Sequence, residues 1–220
     1  TGIIKTVLNA LTKDTFAGVV AFMIPGNDSH SFSQGQYYWF KKGGLETDAD
    51  DFMVDGFNNY MAMPDILTGD ALGAIADVFD DAVGPLPVGV AALLAPLEQW
   101  VMKRLDEHVD KLLGENETIP LAHVFSLLLN VLASQVNPWA TGLQIAPFSR
   151  LSWNDKAEVF RKFETELPDI LANIASKLPG EMDEKISGLI RFAAGATLQF
   201  AAFGSYNEWQ VYDPETRELI

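Results

Sequence analysis

Between Ile186 and Phe203 the chain carries one charge, Arg191. Leu189, Phe192, Ala196, Phe200 and Phe203 recur at steps of three and four, the period of a helix. Gly188, Ala194, Gly195, Ala201 and Ala202 occupy much of the remaining circumference. A helix that is apolar or small nearly all round must be covered nearly all round. Its glycines cost helix propensity, and close approach of neighbouring helices is the offset they imply. At the usual rise a helix over 185–203 is roughly 30 Å long, enough to cross a small domain. The segment therefore predicts an all-α fold, an irregular multi-helix bundle around a buried C-terminal helix. The length also suits a membrane span. Arg191, Ser187, Gln199 and two glycines, with no flanking basic cluster, favour a soluble core helix, so no transmembrane segment is expected.

The rest of the chain reads as further helices. Ile3 to Leu11 is a short apolar helix or arm, and Thr12 reads as the N-cap of the next helix, which Pro25-Gly26 stops. Residues 26–63 are irregular, with Asp50 or Asp51 placed at a helix N-terminus where the dipole favours a carboxylate. Asp70 caps a helix with Leu72, Ile75, Ala76 and Phe79 inward. Pro87 to Gly114 is the longest candidate, and Pro96 should kink or split it. Thr118 precedes a helix from Pro120 to Gln135. Ser152-Trp153-Asn154-Asp155 resembles a capping box, with Asp in place of Glu. Pro168 to Leu178 reads as a separate short helix closed by Pro179-Gly180. Residues 1–204 form a single helical domain on this reading. Residues 205–220 form an extended tail, with Asp213-Pro214 as a turn. No convincing sheet and no internal repeat is visible.

Composition narrows the function. The 220 residues are 48% hydrophobic and only 20% charged, which points to a buried partner surface. The net charge of −15 repels nucleic acid phosphates and anionic lipid, so neither is expected as a partner. There are no cysteines, hence no disulfide or thiolate chemistry. The start at Thr1 is compatible with a processed mature chain or a fragment.

Catalytic patterns are missing. His30, His108 and His123 are not spaced as metal ligands, and no Glu-x-x-His pair exists. The group Asp48, Asp50, Asp51 and Asp55 has Met53 where a calcium loop needs its sixth-position glycine. No phosphate loop, dinucleotide fingerprint or nucleophile elbow appears. Paired carboxylates could serve an enzyme, but nothing selects a pair. Neither a metal nor a cofactor is expected in this chain.

Tyr37-Tyr38-Trp39-Phe40 is the more informative feature. Four adjacent aromatics cannot all face one core, so at least one or two should be exposed unless something covers them. Tryptophan and tyrosine are favoured anchors of protein interfaces. The alternative is a packed loop whose tyrosine hydroxyls stay wet. Trp209 and Tyr212 in the tail pose the same question. The expected partner-binding residues are therefore Tyr37, Tyr38, Trp39, Phe40, Trp209 and Tyr212. A different reading is a stand-alone helical protein that binds an apolar small molecule between the 87–101 helix and the small-residue post.

Three stretches together resemble one family. They are Leu11-Thr12-Lys13-Asp14 running to Phe22-Met23-Ile24-Pro25-Gly26-Asn27-Asp28, then the helix Gly73 to Ala82, then Phe148-Ser149-Arg150-Leu151-Ser152 with Val159-Phe160. In order and spacing they are similar to the gluconate 2-dehydrogenase subunit 3 family. The resemblance implies a non-catalytic small subunit that binds and stabilises a large flavoprotein of the glucose–methanol–choline type, or assists its export. It implies FAD in that partner and an exported, bacterial location. The sequence departs from the family in the apolar 85–118 region, which looks like an insertion, and in its Asn207-Glu208-Trp209 tail.

Overall fold

The computed structural model describes residues 2–60 and 120–177, together with 195, 197–199, 201–202, 204–205, 212–213 and 218–219. The expected helices over 70–84 and 87–114, the 85–118 region, the cap at Thr118, the stop at Pro179-Gly180, the Gly73–Ala82 stretch and Trp209 lie outside these residues.

The fold is all-α. Helix α1 runs Gly2–Met23, α2 Ser29–Ser33, α3 Ala49–Asp55, α4 Leu121–Val136, α5 Pro147–Arg150 and α6 Trp153–Lys177. A 3₁₀ turn, Leu45–Thr47, leads into α3, and a π-type turn, Gly56–Tyr60, follows it. Helix α1 packs against α2, α3, α4 and α5 and is the hub of the described part. Phe16 of α1, Phe57 after α3 and Phe125 of α4 meet at its centre, with ring centroids 5.1 to 6.4 Å apart. Each is wholly or almost wholly buried, which for aromatic side chains of this size is a dominant share of core energetics.

Two expected boundaries are replaced by continuous helices. Thr12 does not cap a second helix. It lies inside α1, buried, with its hydroxyl bonded to His123 Nδ1 on α4 at 2.8 Å. A tertiary partner satisfies the oxygen that capping would otherwise have used. Likewise α6 passes through Pro168 instead of restarting there. Proline lacks an N–H, so the helix forgoes one internal bond at that point.

Other expectations hold. Ser152 Oγ accepts the Asp155 N–H at 3.2 Å, the first half of the capping box. The Asp155 carboxylate turns to Asn137 Nδ2 at 3.1 Å. Asp50 and Asp51 sit in the first turn of α3. Of the inward face expected for α4, Val124, Leu128 and Leu132 are buried, whereas Leu127 and Val131 are only half-buried.

Of the stretch expected as a helix buried nearly all round, residues 195, 197–199 and 201–202 are described; they are helical and covered on one face only. Thr197, Ala201 and Gly204 are buried, whereas Gly195 and Gln199 are exposed. Close approach accounts for Gly204: a Cβ there would lie 2.7 Å from Phe52 and 3.2 Å from Ala49 of α3. Gly195 has open space around it. The tail is extended at Tyr212–Asp213 and Glu218–Leu219, which pair antiparallel, Tyr212 with Leu219. Among the described residues no helix is long and apolar enough to cross a membrane.

Candidate functional site

The turn after α1 builds a platform for the aromatic run. Asp28 caps α2: its carboxylate accepts the Ser31 N–H at 2.8 Å and the Ser31 hydroxyl at 2.6 Å. Gly35, at φ +81°, reverses the chain after α2, a conformation that disfavours any side chain. The returning strand of chain is pinned by Tyr38 N–H to Gly26 O at 3.2 Å and Gly44 N–H to Ile24 O at 2.8 Å. At this crossing Gly43 lies against Gly26. A Cβ on Gly43 would lie 2.5 Å from Gly26 N and 2.8 Å from Ile24 O.

On this platform three rings stand edge to face. Phe32 meets Tyr37 at 5.6 Å between centroids, and Tyr37 meets Trp39 at 4.8 Å. The Tyr37 hydroxyl donates to Asn27 Oδ1 at 2.6 Å. Tyr37 is half-buried, Tyr38 exposed, Trp39 70% exposed and Phe40 fully exposed. Lys41 Nζ stands 5.6 Å from the Tyr38 ring. The structure thus gathers Tyr37, Tyr38, Trp39 and Phe40 on one loop. It places Tyr212 in the tail ladder, 172 positions further along the chain than Phe40.

Beneath the platform lies a polar cluster that periodicity did not reveal. Lys156 of α6 is wholly buried; its Nζ donates to Gln34 Oε1 at 2.9 Å and to Gly18 O at 3.2 Å. It also lies 5.5 Å from the Phe148 ring. Burial pushes its ammonium down to about 7, against the pull of Asp28 and Asp14. Gln34 in turn donates to Ala21 O at 2.6 Å. Asp14 pairs with His30 Nε2 at 2.9 Å and accepts the Ala146 N–H at 2.7 Å. Burial pushes the Asp14 carboxyl up, but these hydrogen bonds outweigh it and hold it below the usual carboxylate value. A second buried set joins α1, α4 and α5. Asn130 donates to Thr15 Oγ1 at 2.8 Å and accepts the Phe148 N–H at 2.9 Å.

These groups are consumed by one another. The ring of His30 has Asp14 as its partner, and the pair ties the turn after α1 to α1 itself. In the first turn of α3, Asp51 holds Lys13 Nζ at 2.7 and 3.1 Å. Among the described residues no group of three or more potential ligands could hold a metal ion.

The residues that pattern reading missed are Phe32, Leu143 and Ile145 on the surface and Gln34 and Lys156 below it. A lone Lys in an amphipathic helix carries no signal of burial. Phe32 stands in a polar stretch whose helix is too short to show a period.

Against known proteins, no family model, no curated protein and no solved structure matches this chain.

Proposed function

We propose that this chain is a non-catalytic subunit that binds a larger protein through the 37–40 loop. The observation that carries the reading is the exposure of Trp39 and Phe40 on a loop held by backbone hydrogen bonds. Large aromatics held in place while exposed lose little conformational freedom on docking, which is why they serve as anchors. The polar groups beneath have structural partners, which supports a scaffold in preference to a reaction centre.

The class of partner comes from the resemblance to the gluconate 2-dehydrogenase subunit 3 family. It is a large flavin-dependent oxidoreductase subunit of the glucose–methanol–choline type. FAD belongs to that partner, which this chain stabilises or helps to export.

The test is gentle purification from the cells that make the protein, followed by intact-complex mass spectrometry and a visible absorbance scan. A stoichiometric large subunit with a flavin spectrum is expected. In that complex Trp39→Ala should weaken binding by about 2 kcal/mol or more, with helix content unchanged. A lone, colourless monomer would overturn the reading.

A further inference from the structure

Segments 29–44 and 137–154 contain none of the 30 aspartates and glutamates of this chain. They adjoin in space. Gln144 Nε2 donates to Ser33 Oγ at 2.6 Å and to Ser29 O at 3.3 Å, and the Trp153 N–H donates to Gln34 O at 2.9 Å. Apart from Val7, they carry every exposed large apolar side chain among the described residues. The first segment presents Phe32, Tyr38, Trp39 and Phe40; the second presents Trp139, Ile145 and a fully exposed Leu143. Their fixed charges are Lys41, Lys42 and Arg150, all positive.

Four carboxylates next to these segments have internal partners. Asp14 accepts from Ala146 N–H, Asp28 from Ser31 N–H, Glu46 from Gly43 N–H at 2.5 Å, and Asp155 from Asn137. In a molecule of net charge −15 these two segments thus join into an apolar face that carries no acidic residue of its own and is edged by cations.

We propose that the two segments form one docking face, whose occupant is a protein surface with an apolar centre and a carboxylate rim. The proposal rests on the binding-subunit reading and extends it from the 37–40 loop to the 139–145 loop. Charge depletion at the centre with a polar rim is the anatomy of a protein interface, and opposite rim charges set orientation and association rate. An anionic bilayer would also offer negative charge to the three cations. It presents an extended negative plane to the whole molecule, however, and the net charge opposes that approach. A protein rim addresses only the cations within about 8 Å, the screening length at physiological salt.

The test places the photo-crosslinker p-benzoylphenylalanine at Leu143 and, separately, at Trp39 of the full chain in the cells that make it. Crosslinked peptides are then mapped by mass spectrometry. Both positions are expected to reach the same other protein, with Asp or Glu in the peptides captured from 143. The double substitution Lys41→Glu and Lys42→Glu should lower the yield at both positions about tenfold, while Lys→Arg at both should keep it. Raising salt on the unsubstituted lysines asks the same question without a mutation, and the yield should fall.

Capture from Trp39 alone would overturn the extended face and leave the binding reading standing. Capture from neither position would remove both. Crosslinks to lipid, to a second copy or to another part of this chain would overturn the assigned occupant. Yields indifferent to both salt and charge reversal would overturn the carboxylate rim.

Discussion

Lys156 and Gln34 lie 122 positions apart and meet inside the protein, Nζ to Oε1 at 2.9 Å. The contact ties the start of α6 to the residue that ends α2, directly behind the aromatic loop. A buried ammonium is costly unless its protons are placed, and here Gln34, Gly18 O and the Phe148 ring receive them.

Stability should rise with pH above about 7 because of this lysine. Its folded pKa is depressed from 10.5 to about 7, so between those values the unfolded chain binds a proton that the folded chain does not. The gain by about pH 10 is at most about 4 kcal/mol, roughly three pH units at about 1.4 kcal/mol each. Urea unfolding of wild type and Lys156→Met from about pH 6.5 to about pH 10, the span between the folded and unfolded pKa values, should show the difference. The variant should match or exceed wild type at the acid end and fall behind it at the alkaline end. Parallel curves would refute the assignment.

Asp14 acts with the same sign but in the acid range. Its folded pKa is held below 3.8, so its contribution is complete above that value and is lost as pH falls through the lower folded one. Asp14→Asn leaves His30 and Ala146 with a weaker acceptor. A loss of about 1–3 kcal/mol at pH 7 is expected, as for a damaged buried charged hydrogen bond. Chemical denaturation at pH 7 and pH 3 should show the gap between variant and wild type narrowing at the lower pH.

Gly43→Ala should cost about 2–3 kcal/mol, the upper part of the overpacking range. The new methyl group would meet backbone atoms of Gly26 and Ile24, which cannot rotate away as a side chain can. Gly195→Ala, in open space, should leave the melting temperature unchanged or raise it slightly. Thermal melts of the two variants give the comparison directly.

Phe40→Ser and Leu143→Ser should leave unfolding free energy within about 0.5 kcal/mol of wild type, because fully exposed side chains contribute little to folding. The same pair should raise solubility by breaking an apolar surface. Denaturation midpoints and precipitation thresholds measure both effects. A large loss of stability would mean that these side chains are covered in solution.

Local pattern reading found most of the described helices because amphipathic spacing and caps act over a few residues. The helix over 121–136, the acidic first turn of α3 and the Ser152 cap are of this kind. Exposure within the aromatic run also followed locally, since four consecutive rings cannot share one direction. What failed were boundaries and buried polar groups. Thr12 and Pro168 look like helix ends until His123 and the run of α6 are in place.

By itself the sequence determined an acidic, cysteine-free, all-α chain with four adjacent aromatics that cannot all face one core. Only the tertiary structure decided that Lys156 is buried, that Asp14 orders a loop 132 residues away, and that Leu143 and Phe32 belong to adjoining segments. Periodicity records which side of its own helix a residue occupies. It carries no record of which distant polar group comes to meet that side, and that meeting decides whether a charge is buried or left in water.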